Sequence, residues 1–85
     1  MKSSLIYQIS EAETLCGVDQ KNIRYFISEH WINPIDPEKN RFDEEDIERI
    51  KLIWELKDLG VNDEAIPIIL HLIDQLNHLH RELRH

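Results

Sequence analysis

Helix-breaking residues in the first half of the chain confine any helix there to a few turns. Gly17 stands between two stretches of helix-forming residues, and Pro34 and Pro37 follow three positions apart. Because proline lacks a backbone donor and clashes with the preceding turn, a helix cannot continue through this region. The first 42 residues therefore predict two short helices followed by a small extended segment, whereas residues 43–85 favour longer helices.

The boundaries of the two short helices are marked by capping residues. Ser10 and Glu13 have the spacing of a capping box, which predicts that the first helix begins just after Ser10 and ends at Gly17. Asp19 is the predicted N-cap of the second helix. That helix carries apolar residues at helical spacing, namely Ile23, Phe26 and Ile27. Residues 10–30 therefore predict a helix-turn-helix.

The rest of the chain predicts a wing and two further helices. Residues 31–42 read as a small hairpin or wing, and residues 43–59 as a third helix with Asp43 as its N-cap. Residues 62–84 read as a C-terminal helix that begins at Asn62 and kinks or restarts near Ile66, because Pro67 interrupts its backbone hydrogen bonds. We expect a single, mainly α-helical domain over residues 1–85.

Large apolar side chains suggest how these elements pack. Trp31 and Trp54 are predicted core anchors, the first under the wing and the second between the third and fourth helices. The C-terminal helix carries two lines of apolar residues: Ile66, Ile69, Ile73, Leu76 and Leu83 in one, and Ile68, Leu72 and Leu79 in the other. This helix is too long for a small head to cover completely.

Negative charge is concentrated in the second half of the chain. Residues 1–42 hold five Lys and Arg against six acids, whereas residues 43–85 hold five against eleven, and the net charge is −7. DNA affinity depends on Lys and Arg that neutralise phosphates, so this excess of acids opposes DNA binding. The charge distribution therefore indicates a basic protein partner.

Two short stretches carry a resemblance to a known family. The second helix contains Ile23-Arg24-Tyr25-Phe26, and the segment after the wing reads Arg41-Phe42-Asp43-Glu44-Glu45-Asp46. In these stretches and in the order of helix, turn, helix, wing and two further helices, residues 7–60 resemble the MerR-like winged-helix family. The resemblance implies a winged helix-turn-helix with a small wing and a long C-terminal helix.

The C-terminal part resembles one branch of that family, the CbpM chaperone modulators. Leu59-Gly60-Val61-Asn62 leads into residues 68–76, and the chain continues with Leu79-His80-Arg81-Glu82-Leu83. The resemblance implies a non-enzymatic protein that binds the J-domain of a DnaJ-like co-chaperone, CbpA, and inhibits its stimulation of DnaK. Because a J-domain presents a basic helix, an acidic surface suits this partner.

The candidate binding residues differ between the two functions that the resemblance allows. For a J-domain, they are acids of the third helix and the following turn, with apolar residues of the last helix: Glu48, Glu55, Asp58, Asp63, Glu64, Ile73, Leu76 and Leu79. The alternative is a MerR-like DNA-binding transcriptional regulator, whose base and phosphate contacts come from Lys21, Asn22, Arg24, Tyr25, Lys39 and Arg41. For Lys21, Asn22, Arg24 and Tyr25, a solvated helix face is the simpler and favoured interpretation.

The C-terminal helix also predicts a homodimer. Pairing with a second copy buries Ile73, Leu76, Leu79 and Leu83, although a co-chaperone groove is another use of the same residues. Dimerisation also bears on DNA binding, because it doubles the few cations available to contact phosphates.

No motif in the sequence predicts catalysis, a cofactor or a metal. His71 and His78 are seven residues apart, about 10 Å along a helix, which is too far for one ion. Cys16 is alone and fits a buried apolar position. We therefore expect no enzyme activity and no cofactor, and the absence of a signal peptide or membrane-length apolar run favours a cytoplasmic protein.

Overall fold

The computed structural model describes residues 5–83, which form four helices and a two-stranded antiparallel sheet. The mainly α-helical winged helix-turn-helix predicted from the sequence is confirmed. The elements in chain order are β1 (Tyr7–Gln8), α1 (Ile9–Cys16), α2 (Gln20–Ser28), β2 (Arg41–Phe42), α3 (Glu44–Asp58) and α4 (Ile66–Leu83).

The first helix begins earlier than its capping pattern predicted. Gln8 is the N-cap of α1, and its backbone N–H donates to the Glu11 carboxylate at 2.9 Å. Ser10 lies inside the helix, so the predicted cap at Ser10 is wrong. The reason is tertiary: β1 pairs with β2, and the helix starts directly where that pairing ends. The helix stops at Gly17 as predicted, with φ 68° and its N–H bonded to the Glu13 carbonyl.

The second helix follows its sequence signals closely. The Asp19 side chain accepts a hydrogen bond from the Asn22 N–H at 3.0 Å, which confirms the predicted N-cap. At the other end His30 adopts the left-handed conformation, with φ 62°, and the Trp31 N–H then bonds the Phe26 carbonyl at 3.0 Å. This closing bond turns the chain sharply out of α2 and into the wing.

The wing contains a tight turn and contributes one strand to the sheet. Asp36 and Arg41 exchange backbone hydrogen bonds at 3.1 and 3.2 Å, closing the small hairpin that the sequence predicted. The sheet itself pairs Arg41–Phe42 with Tyr7–Gln8, in the register Tyr7↔Phe42 and Gln8↔Arg41. The N-terminal strand has no signal in the sequence, because two residues are too few to show a period-2 pattern.

A buried carboxylate connects the wing to α3. Asp43 caps α3, as predicted, by accepting from the Asp46 N–H at 2.9 Å. The Asp46 carboxylate in turn accepts from the N–H groups of Asp43, at 3.0 Å, and Ile35, at 3.2 Å. Both bonds end on the same oxygen, Oδ2. Asp46 therefore holds the loop before β2 against the start of α3.

Asp46→Asn is expected to change how stability depends on pH. Burial raises the pKa of the Asp46 carboxyl to about 6, and the charge of Asp43 adds to the rise. The folded protein therefore binds more protons than the unfolded chain from about pH 4 to about pH 6, so its stability falls as the pH rises through this window. Asparagine keeps an oxygen for both N–H groups without the buried charge. We expect the free energy of unfolding of the variant, relative to the original protein, to rise from pH 4 to pH 7 by up to about 3 kcal/mol.

Urea unfolding at several pH values between 4 and 7 measures this difference. Glu45→Gln removes one negative charge from an exposed residue at the same end of α3 and serves as the control. Equal pH slopes for Asp46→Asn and the original protein would show that the buried carboxylate does not couple folding to pH.

The last helix restarts rather than kinks. Asn62 caps a turn over residues 63–65, where its side chain accepts from the Ala65 N–H at 3.0 Å. α4 then begins at Ile66, which places Pro67 in its first turn, where the missing N–H costs no helical bond. The C-terminal helix therefore begins later than the predicted span of 62–84. The last residue of that span, Arg84, lies outside the described residues.

The core draws one or more side chains from every helix and from the wing. Its members are Ala12, Val18, Ile23, Phe26, Trp31, Ile32, Phe42, Ile47, Ile50, Ile53, Ile66 and Leu70. Trp31 is buried as predicted. Trp54 is 37% exposed, so the prediction that it is a core anchor is wrong. The buried face of α3 consists of Ile47, Ile50 and Ile53.

Candidate interaction surfaces

A charged clamp sets the position of α4 against the rest of the protein. Arg49 on α3 donates from Nε to the Trp31 carbonyl at 2.7 Å. Its two terminal nitrogens donate to both oxygens of Asp74 on α4, at 2.9 and 3.2 Å. Such a two-pronged pair fixes direction as well as distance. No sequence signal pointed to Arg49 or Asp74, because they are 25 residues apart and meet only in the folded chain.

Three of the predicted partner-binding acids share one exposed side of α3. Glu48, Glu55 and Asp58 are all exposed, and helical spacing of seven and three residues aligns them. We call these three residues the acidic face. Glu48 also forms an exposed ion pair with Lys51 at 3.6 Å, which contributes little to stability in water.

The acids of the following turn differ from each other in their surroundings. Glu64 is exposed. Asp63 accepts hydrogen bonds from the Tyr25 hydroxyl on α2 and the Lys57 ammonium on α3. The bond from Lys57, reinforced by the one from Tyr25, lowers the pKa of the Asp63 carboxyl, and the bond to Asp63 raises the pKa of Tyr25 to about 12. Asp63 thus links the turn before α4 to α2.

The same cluster contains aromatic contacts. The Lys57 ammonium lies 5.8 Å from the centre of the Trp31 ring, and the Tyr25 ring meets Trp31 edge-on at 5.6 Å. Tyr25 is therefore held on both its ring and its hydroxyl, although 39% of its surface remains exposed.

The candidate DNA-contacting residues are divided between α2 and the wing. Lys21 and Arg24 are exposed on α2, and the Arg24 guanidinium lies 3.5 Å from the Gln20 side-chain oxygen. Asn22 is half-buried beside the Asp19 cap. Lys39 and Arg41 are exposed in the wing.

The apolar residues of α4 separate into two sides. Ile66 and Leu70 are buried in the core, and Ile73 is half-buried on the same side. The exposed apolar residues lie on the other side of α4. With a rotation of ~100° per residue around the helix axis, they fall within an arc of about 80°. We call this group the apolar stripe, and it consists of Ile68, Leu72, Leu76, Leu79 and Leu83. The prediction that Ile73 shares a surface with Leu76 and Leu79 is therefore wrong. The predicted grouping of the α4 apolar residues into two lines is also wrong.

An open groove of about 860 Å³ lies between α3 and α4. Residues between 44 and 52 of α3 line one wall, and residues between 73 and 81 of α4 line the other. The Arg49–Asp74 clamp is part of this groove, and Ile73 faces into it. The apolar stripe lies on the opposite side of α4. The groove and the stripe are thus separate surfaces of one helix.

The histidines and the cysteine occupy ordinary structural positions. His78 Nε2 lies 3.1 Å from the Glu82 carboxylate on the surface of α4. Cys16 is half-buried, its thiol lies 3.7 Å from the Ile47 carbonyl, and burial raises the pKa of the thiol. Between residues 5 and 83, we find no cluster of three or more His, Cys, Asp or Glu side chains arranged to hold a metal ion. No helix in that part of the chain has both the length and the apolar character of a membrane span.

The arrangement of two short helices, a wing and two longer helices defines a winged helix-turn-helix module. Residues 7–72 match the family described as MerR HTH family regulatory protein. The chain belongs to this family, which confirms the broader resemblance drawn from its sequence. A comparison with curated proteins found no match. The narrower resemblance to the CbpM branch stays a prediction.

Proposed function

We propose that this chain is a non-enzymatic chaperone modulator that binds the J-domain of a DnaJ-like co-chaperone of the CbpA type and inhibits its activity toward DnaK. The observation that carries the proposal is the acidic face of α3, which leaves Glu48, Glu55 and Asp58 exposed together. The resemblance of the C-terminal part to CbpM supplies the identity of the partner.

The proposed mechanism is competitive masking. A J-domain uses a basic helix to engage its Hsp70 partner, so a protein that covers this helix prevents that contact. Opposite charges on the two surfaces speed the encounter and favour one orientation. Added salt shortens the range of this attraction, because the Debye length falls from about 10 Å at 0.1 M to about 3 Å at 1 M.

The surroundings of α2 support a protein partner over DNA. Tyr25, which faces outward from α2, is engaged by Asp63. This bond occupies the Tyr25 hydroxyl proton, so the side chain cannot also donate it to a phosphate or a base edge in the described fold. The net charge of −7 acts in the same direction.

Isothermal titration against the J-domain of the CbpA-like protein from the same cell tests the proposal directly. Measurements at two salt concentrations, with duplex DNA as a parallel ligand, separate the two functions. We expect micromolar or tighter binding to the J-domain that weakens with salt, and no binding to DNA. The absence of J-domain binding at low salt would refute the proposal.

The family match supports a second candidate, a DNA-binding transcriptional regulator. The match is to regulatory proteins with a helix-turn-helix, and Lys21 and Arg24 are exposed on the second of its helices. For this function, duplex DNA must bind in the titration above, and Arg24→Ala must abolish that binding. If Arg24→Ala binds duplex DNA as tightly as the original protein does, the DNA binding comes from nonspecific contacts.

We also propose that two copies associate through the apolar stripe. Monomeric proteins rarely expose a continuous apolar surface of this kind, and a helix that offers it can pair with the same helix of a second copy. The most exposed members in the middle of the stripe are Leu76, at 65%, and Leu72, at 57%. Pairing removes these side chains from water and so stabilises the dimer.

The double substitution Leu76→Glu/Leu79→Glu is expected to weaken the dimer at least roughly tenfold, because it places charges where apolar surface would be buried. Sedimentation equilibrium over a range of protein concentrations measures the change. Asn77→Glu/His80→Glu introduces the same charges outside the stripe and should leave the dimer intact. Equal dissociation constants for the two variants would assign the dimer interface to another surface.

A further inference from the structure

The groove between α3 and α4 exists because α4 is attached to the head only at its beginning. Ile66 and Leu70 anchor its first turns in the core, and Asp74 is held by Arg49. Beyond Asp74 the α4 residues are exposed. The space between the two helices therefore stays open on the side of α4 that faces α3, over a volume of about 860 Å³.

The floor of the groove is apolar. Leu52 from α3 and Ile73 from α4 line it, and both are half-buried. An apolar side chain inserted between them would complete their burial and gain contacts on both sides. Packed helices lie 8–10 Å apart, so a third helix laid along the groove can reach both walls.

The two walls differ in charge, because the Arg49–Asp74 pair cancels and leaves acids on the α3 side and Arg81 on the α4 side. On the α3 side stand Glu44, Glu45 and Glu48, of which Glu48 also belongs to the acidic face. On the α4 side stand Asn77, His80 and Arg81. A partner helix complementary to both walls has Lys or Arg along one edge, an apolar residue in the middle, and an acidic or amide residue along the other edge.

We propose that this groove is the docking site for one amphipathic helix of the J-domain, with its basic edge against α3, an apolar residue on Leu52 and Ile73, and its opposite edge against Arg81. This inference rests on the proposed function and specifies where the partner sits. The acidic face continues the negative charge of the α3 wall toward Glu55 and Asp58, so it extends the attraction beyond the groove itself.

Two substitutions on α4 distinguish docking in the groove from general attraction to an acidic protein. Asn77→Glu adds a carboxylate to the α4 wall, where the acidic or amide edge of the partner lies, and Gln75→Glu makes the same change of charge outside the groove lining. Both original side chains are exposed, so we expect both variants to fold. Because the net charge changes equally, any difference between them reports the position of the partner.

The measurement is titration of each variant with the intact J-domain, accompanied by ¹⁵N chemical-shift mapping of the original protein. We expect Asn77→Glu to weaken binding roughly tenfold or more, Gln75→Glu to stay within about twofold, and shifts to centre on Leu52 and Ile73. Circular dichroism and sedimentation are the controls that test whether both variants keep their fold and oligomeric state.

The failures of the two proposals can be told apart. Tight binding of the J-domain that Asn77→Glu and Gln75→Glu change equally, with shifts away from the groove, would overturn the docking site and leave the proposed function standing. A J-domain that does not bind the original protein at all would overturn both.

Discussion

Reversing all three charges of the acidic face, with Glu48→Lys, Glu55→Lys and Asp58→Lys together, is expected to weaken J-domain binding by about 100-fold at low salt. Each reversal replaces attraction by repulsion at an exposed position, and about 1 kcal/mol for each gives a combined loss of about 3 kcal/mol. The loss should shrink as salt is raised, because exposed charges are screened. Titration with the J-domain at low and high salt measures both effects.

A matched variant separates this surface from net charge. Glu29, Glu38 and Glu82 are exposed on other elements, and their reversal to Lys changes the net charge by the same amount. This control should bind the J-domain with only a small loss. If both triple variants lose affinity equally, the acidic face is not the contact surface, and long-range charge alone drives the association.

Phe42→Ala is expected to lower the free energy of unfolding by about 3–5 kcal/mol, a large part of the total for a domain of this size. Phe42 is fully buried on β2, which packs against α1 and α3. Removing its ring leaves a cavity at the point where the wing, the N-terminal strand and the helices meet. Urea unfolding followed by circular dichroism measures the loss.

Ile35→Ala provides the comparison within the same wing. The Ile35 side chain is 49% exposed, so its truncation should cost within about 0.5 kcal/mol. Only its backbone N–H is engaged, by Asp46, and alanine retains that bond. A similar shift of the urea midpoint in both variants would mean that Phe42 does not anchor the wing to the helices.

The geometry of α4 bears on whether dimerisation and partner binding compete. The sequence placed Ile73, Leu76 and Leu79 on one surface, on which a second copy and a co-chaperone exclude each other. In the fold Ile73 faces the groove, whereas Leu76 and Leu79 belong to the apolar stripe on the other side. Under our proposals, one α4 helix can therefore pair with a second copy and line a partner site at the same time.

The helices and their ends could be predicted from the sequence because their signals are local. Asp19 and Asp43 cap α2 and α3 as their side chains and positions indicated, and Gly17 ends α1. Pro67 predicted a kink or a restart near the beginning of α4, and the helix restarts at Ile66. Spacing of apolar residues likewise identified the buried face of α2 through Ile23 and Phe26. Each of these features depends on neighbours within one or two helical turns.

Tertiary structure decided what the chain presents to a partner. α1 begins at Ile9, with Gln8 as its N-cap in place of the predicted Ser10. The reason is that Tyr7–Gln8 pairs with a strand that begins 34 residues further along the chain. Which line of α4 is exposed was fixed by the Arg49–Asp74 clamp and by the burial of Ile66 and Leu70, while Trp54 was left outside the core. A helix with apolar residues on two sides satisfies the same sequence pattern in either orientation. Only long-range contacts choose between these orientations, here through the burial of Ile66 and Leu70 in the core and the pairing of Asp74 with Arg49.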